Sequence, residues 1–245
     1  MEWHDRGIVL SGRPHGETGV IVQLMTAEHG RHAGMVRGHR RAAHLQPGTG
    51  VDAVWRARLA EHLGTFTLEA QDAGPAAYLG DPLKLAALAS ACALVETALP
   101  ERQAYPAVHA GLEALIEALA GPYWDAVYVR WEIGLLGALG FGLDLERCAA
   151  TGANDDLVYV SPRSGRAVSA SAGEPYRDRL LSLPGFLVGR GDAPPEDVHA
   201  GLGMTGHFLD RLLFGQSHQP VPAARTRYVE AYRRFAARSG RLPES

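Results

Sequence analysis

Cysteine is scarce. The 245-residue chain has two, Cys92 and Cys148, too few and too far apart for a disulfide framework, which fits a reducing compartment. Long apolar runs are missing as well: even the Ala/Leu-rich segment 83–99 is interrupted by Lys84 and Glu96, which argues against a membrane-spanning helix. The opening Met-Glu-Trp-His-Asp-Arg has no basic leader followed by an apolar core, so no signal peptide is expected. Together these absences predict a soluble, cytoplasmic protein. Catalytic signatures are absent too: there is no G-x-S-x-G elbow, P-loop, H-E-x-x-H or EF-hand loop, and a non-enzyme is expected. Positive charge is not in excess either. Lys and Arg number 24 against 27 Asp and Glu, a formal net charge of -3. Any binding of a polyanion must therefore come from a local patch and not from a global field.

Such a patch exists. Residues 30–41 read Gly-Arg-His-Ala-Gly-Met-Val-Arg-Gly-His-Arg-Arg, a segment that alternates like a β-strand and runs out into a basic loop with no acidic residue. Arg31, Arg37, Arg40 and Arg41, with His32, His39 and His44, precede a turn at Gly48-Thr49-Gly50. Arg56 and Arg58 sit two residues apart on the next β-like run, on one face of a sheet. A groove lined by these cations would bind a nucleic-acid backbone through its phosphates. Single-strand binders add aromatic platforms, and Trp55 and Phe66 are the candidates here; Trp55, on the opposite face from Arg56, also fits the core. Arginine greatly outnumbers lysine and Ala and Gly are frequent, the mark of a GC-rich genome, so the bland alternative for each arginine is a solvated surface.

The chain changes character near residue 73. Before it, Gly7–Leu10, Val20–Met25, Arg31–Arg37, Val51–Leu59 and Thr65–Ala70 alternate with period two between turn residues. Five short strands at this spacing predict a small barrel of the OB or SH3 kind. After Gly74-Pro75 the pattern is helical. Asp81-Pro82 is a start signal for a helix running to Pro100. A second helix follows over Val108–Leu119 and a third over Tyr123–Leu139, with Gly140 past its end. Gly134, Gly137 and Gly140 lie on one side of the third helix and suggest close packing plus a cap. Residues 143–172 break the pattern: a turn at Ala153-Asn154-Asp155-Asp156, a β-like run Leu157–Val160 and a second turn 161–166 make an inserted hairpin. Helical periodicity is expected again at Pro175–Leu183, Pro195–Phe214 and Ala223–Ala237, with the last five residues frayed. The expectation is an α+β chain, with a barrel over 1–74 and an α-helical domain over 75–245.

Other constellations are weaker. Asp155-Asp156 reads as turn chemistry, and a metal-dependent hydrolase built on it lacks its motif. His29-x-x-His32 has no further ligand to complete a metal set, and His207 with Asp210 reads as a polar surface pair. Cys148 and Thr151 stand at the spacing of half a C-x2-C knuckle, with Ser169 and Ala172 as the other half. A structural zinc site needs four real ligands and one sulfur remains, so no metal and no cofactor is expected.

The order of several segments carries a resemblance. Arg6-Gly7-Ile8-Val9-Leu10, Arg13-Pro14-His15-Gly16-Glu17-Thr18, Met25-Thr26-Ala27-Glu28-His29-Gly30-Arg31 and Val36-Arg37-Gly38-His39-Arg40 resemble the N-terminus of the bacterial RecO recombination-mediator family. Arg130-Trp131-Glu132, Leu135-Leu136-Gly137-Ala138-Leu139-Gly140-Phe141-Gly142 before Cys148, and Tyr159-Val160-Ser161-Pro162-Arg163-Ser164-Gly165 are similar to its central part. The resemblance implies an N-terminal OB-fold, an α-helical domain and a zinc-finger-like insertion, here without its zinc ligands at Thr151, Ser169 and Ala172. It implies binding of single- and double-stranded DNA, annealing of complementary strands, and help in loading RecA onto strands covered by single-strand-binding protein. The implied partners are RecR and the acidic C-terminal tail of single-strand-binding protein, with RecA indirectly, in a cytoplasmic, nucleoid-associated setting. Arg130, at the start of the third helix, is a candidate for the tail. The alternative is a non-catalytic adaptor whose OB-like barrel binds protein.

Overall fold

Period-two alternation at the N-terminus becomes five strands: β1 (Glu2–His15), β2 (Gly19–Thr26), β3 (Gly30–Arg37), β4 (Gly50–Arg56) and β5 (Thr65–Ala70). The structure is a computed structural model that describes residues 1–38, 45–71, 78, 80–216 and 219–239. By its contacts the chain divides into two compact units, Met1–Ile116 with Pro222–Tyr228 and Glu117–Val221 with Val229–Ser245.

In the first unit the strands close into a barrel in the order β1-β2-β3-β5-β4, which is the five-stranded OB arrangement anticipated above. β1 is long enough to serve two neighbours. Residues 2–8 pair with β4 and residues 7–15 with β2, and the β1–β2 register shifts between Val9 and Ser11. An irregularity of that kind bends a strand, letting one strand turn a barrel corner. Closure is narrow. β3 meets β5 in parallel through the single pair Met35↔Thr65, with the Met35 amide donating to Gly64 O at 3.1 Å. Inward-facing Val9, Val22, Leu24, Val36, Leu45, Val51, Ala53, Trp55 and Phe66 fill the interior. Each large apolar side chain buried there contributes about 1.5–3 kcal/mol.

β4 ends at Arg56, three residues short of the run expected from sequence. Its partners stop there as well, with Arg56 opposite Glu2 on β1 and Thr65 on β5. Helix α1 (Pro82–Ala98) begins as Asp81-Pro82 predicts: the Asp81 carboxylate accepts from the amides of Leu83 and Lys84 at 3.1 and 3.2 Å. Its buried face holds Leu88, Leu94, Val95 and Cys92, and the Cys92 thiol, pushed up to about 12 first by burial and then by Glu96, is inert. Helix α2 spans Pro106–Ala118. At the β2–β3 turn Gly30 has φ +66, and a Cβ there would stand 1.8 Å from Gln103 O. Only glycine lets the 99–104 segment lie against that turn.

The second unit holds α3 (Trp124–Ala138) and α4 (Pro195–Phe208), a three-stranded sheet and most of α5 (Ala223–Arg238), whose residues from Val229 onward belong here. α3 ends in a Schellman arrangement: Phe141 N–H donates to Leu136 O at 2.8 Å and Gly140 N–H to Gly137 O at 3.0 Å. Gly140 takes φ +88, as a C′ glycine does. The close packing expected at Gly134 and Gly137 is not there; both are exposed, with nothing near an added Cβ. α3 packs on α4 instead at Gly201, where a Cβ would meet Val129 at 2.9 Å. Beside it the fully buried Glu132 accepts from the Thr205 hydroxyl.

The inserted hairpin forms from β6 (Leu157–Val160) and β7 (Ala167–Ser169). The helix expected over Pro175–Leu183 does not. A 3-10 turn over Glu174–Arg179 leads into β8 (Leu181–Ser182), which pairs with β6 through Tyr159↔Ser182 and Val160↔Leu181. Sheet pairing there outweighs the local helical period. α4 continues as a π-helical turn over Leu209–Phe214. No helix among the described residues is long and apolar enough to cross a membrane.

Candidate nucleic-acid interface

The basic strip begins at the start of β3 and does not behave as one surface. Arg31 is covered. Its side chain is 16% exposed, its Nε donates to Leu99 O at 2.8 Å and its Nη1 to Glu101 at 3.2 Å. Its carbonyl accepts from the Arg102 amide at 2.7 Å. This guanidinium clamps the 99–102 segment onto the barrel. His32 turns inward among Trp3 and Trp55, at ring distances of 5.0 and 4.8 Å, and neither of its ring nitrogens has a partner among the described residues. Burial first, then the charges of Arg102 and His29, lowers its pKa to about 4, so it is neutral at physiological pH.

Arg37, at the far end of β3, differs. It is exposed and has no hydrogen bond or ion pair among the described residues. It lines, with Val36, Leu45, Thr65, Phe66, Thr67, Leu68 and Glu69, a cleft of about 500 Å³. His39, Arg40, Arg41 and His44, the rest of the strip, lie outside the described residues.

Arg56 faces outward like Arg37, each following a buried residue (Trp55 and Val36). The two are not on adjacent strands, as the sequence suggested, because β5 runs between β3 and β4. Two strand spacings, about 10 Å, and two residues of register, about 7 Å, lie between them on the barrel wall. Arg56 also holds a two-pronged pair with Glu2, both bonds 2.8 Å. That raises the arginine's pKa and lowers the carboxyl's, in each case first through the hydrogen bond between them. Arg58 is exposed but lies beyond the end of β4, so the two-residue spacing does not set it on Arg56's face. Trp55 and Phe66 are core, 2% and 5% exposed, and the Trp55 indole N–H donates to Leu63 O at 3.0 Å. Trp55 is closed to a base, and Phe66 lines the cleft with 5% of its surface exposed.

One arginine was missed. Arg102, in the left-handed region at φ 62, sends its guanidinium into the β4–β5 loop. It donates to the carbonyls of Ala60, Glu61 and His62, the last two at 3.2 and 2.8 Å. Its sequence surroundings, Glu101-Arg102-Gln103, carry no signal for this.

In the second unit Arg130 donates to Phe186 O, which uses one of a guanidinium's five donors. His207 bonds the Pro162 carbonyl at 3.1 Å and not Asp210. Asp156, at φ 49, is a turn residue, its carbonyl accepting from Ala170 at 2.9 Å.

The zinc-knuckle positions do not fit a metal. Cys148 Sγ lies 3.5 Å from Ser169 Oγ and accepts from the Ser169 amide at 3.3 Å. Burial pushes this thiol up, but the side-chain and backbone hydrogen bonds of Ser169 and Thr151 outweigh it and bring the pKa to about 6. Of the four knuckle positions only Cys148 supplies a sulfur; Thr151, Ser169 and Ala172 do not. No group of three or more His, Cys, Asp or Glu comes together among the described residues.

The family model "Recombination protein O N terminal" matches residues 1–71, and "Recombination protein O C terminal" matches residues 79–219. The chain is 58% identical to the DNA repair protein RecO of Rhodospirillum centenum, over 99% of each chain. It is 51% identical to that of Rhodospirillum rubrum, over 97% of this chain and 98% of the relative. Against the DNA repair protein RecO of Caulobacter vibrioides strain NA1000 / CB15N the figure is 53%, over 92% and 95%.

Proposed function

The chain belongs to the RecO family of DNA repair and recombination proteins, and from that premise we propose that it is a mediator that acts on DNA without turnover. It binds single- and double-stranded DNA through backbone phosphates and anneals complementary strands. With RecR it assists RecA loading on strands covered by single-strand-binding protein. The observation that carries this reading is Arg37: an exposed cation with no acidic partner among the described residues, lining the barrel cleft and directly before Gly38-His39-Arg40-Arg41. Residues 1–74 serve as the nucleic-acid-binding barrel domain and 75–245 as the α-helical domain. Arg130, with donors to spare, is the first candidate for the acidic tail of single-strand-binding protein.

The mechanism needs no catalytic residue. Arginine–phosphate contacts are independent of sequence and release counterions. A protein that neutralises two strands lowers their mutual repulsion and raises their local concentration, and base pairing supplies the rest. The pairing of Arg31 with Glu101 and of Arg56 with Glu2 favours a second reading, a barrel that binds protein and not DNA. A strand-annealing assay on oligonucleotides coated with single-strand-binding protein separates the two. The mediator speeds annealing and loses that effect as salt rises; the adaptor leaves the rate where it was.

A further inference from the structure

α5 carries five arginines against one glutamate in 16 residues, within a chain whose formal net charge is -3. In its C-terminal half, which belongs to the second unit, Tyr232 is fully buried and its hydroxyl donates to Asp125 of α3 at 2.5 Å. That bond fixes which side faces solvent. Arg234 and Arg238 lie one turn apart on the open side, both exposed, about 6 Å apart along the axis. Neither has an ion pair among the described residues, although Glu230 stands one turn before Arg234. Arg233 points elsewhere, its charge lowering the pKa of His199 after burial has done so. Next to the Arg234–Arg238 row Phe235 is 43% exposed, its ring tilted 59° against Tyr232 at 5.6 Å.

Two like charges at this helical spacing destabilise the helix, and no ion pair among the described residues offsets them at Arg238 or at Arg234. We infer that the Arg234–Phe235–Arg238 face of α5 is a second strand-binding site, one that takes a single strand of nucleic acid by its phosphates and stacks a base on Phe235. The occupant follows from the chemistry. Arginines at one-turn spacing match a backbone with regularly repeated negative charge. An exposed aromatic ring beside them is the sequence-tolerant platform that single strands use, and the barrel candidates Trp55 and Phe66 are buried. An acidic peptide would use the two cations alone, whereas a single strand uses both the cations and the ring. The site rests on the annealing reading in one respect, since it supplies the second strand that annealing requires.

The test uses the full chain and counts strands. Sedimentation of labelled, non-complementary oligonucleotides should give two strands per wild-type protein and one for R234E/R238E. R234Q/R238Q serves in its place if the charge reversal alters the thermal melt. The salt slope of total single-strand binding should fall by about 1.4, two contacts at about 0.7 each. A 2-aminopurine strand should lose its quenching in F235L. Two strands still bound by the arginine variants, with unchanged slope, overturn the site. So does loss of binding to poly-glutamate with strand number unchanged, because that outcome assigns the face to an acidic protein. Strand number is read without complementary DNA, so a wild type that binds two strands but does not anneal defeats the annealing reading alone.

Discussion

At the start of β3, Arg31 is held under the 99–102 segment by Leu99 O and Glu101. Six residues on, at the other end of the same strand, Arg37 meets solvent beside the cleft without a partner among the described residues. Both belong to one basic strip, and their parity puts them on the same side of the strand. What separates them is what the rest of the chain places opposite. Gly30 admits the 99–104 segment at one end, and nothing described covers the other. A run of arginines is therefore not a measure of a binding site; each side chain must be assigned by the groups that face it.

That contrast can be broken by mutation. Arg31→Ala removes a charged hydrogen bond and leaves the Leu99 carbonyl short of a donor, so unfolding in urea should show a loss of about 2–3 kcal/mol. The salt slope of DNA binding by the folded fraction should not move. A stable variant with weakened DNA binding would reverse the assignment.

His32, next to Arg31 but turned inward, gives the second test. Its pKa is lowered from 6.5 to about 4 in the fold, so the unfolded chain binds more protons between those values and stability rises with pH there. The contribution is complete above pH 6.5 and is lost as pH falls towards 4, roughly 2 kcal/mol once solvent screening is allowed for. His32→Leu should flatten that acid limb in a pH series of thermal melts, and an unchanged limb would show that other groups set it.

Arg37→Ala should leave stability within about 0.5 kcal/mol and lower the single-strand salt slope by about 0.7. The smallest effect is expected from Glu2→Ala, which frees Arg56. Exposed pairs add little to stability, so the melt should hardly change while single-strand affinity rises slightly. A fall in affinity would mean that the Arg56–Glu2 pair shapes the surface and does not merely occupy it.

Much of the fold was legible because it follows from local rules. Five alternating runs gave the strands, and Asp81-Pro82 and Gly140 gave two helix ends. What was not legible depends on which strand lies beside which. The barrel order puts β5 between β3 and β4, which parts Arg37 from Arg56, and β4 stops before Arg58 because its partners stop at Glu2 and Thr65. Arg102 and β8 are likewise long-range: one acts through the carbonyls of a distant loop, the other through pairing with β6. In the candidate site, sequence parity correctly set Trp55 opposite Arg56. It could not show that Arg31 and Arg56 already have carboxylate partners.

Arg37 and the basic residues that follow it in sequence are the proposed contacts to the DNA backbone. The direct measurement is the dependence of single-strand affinity on salt, by fluorescence anisotropy, for the wild type and for R37E/R40E/R41E. Loss of three phosphate contacts should lower the slope by about 2 and weaken binding at every salt concentration. An unchanged slope and affinity, in a variant that melts like the wild type, would contradict the claim that this end of β3 and the residues after it hold the DNA backbone.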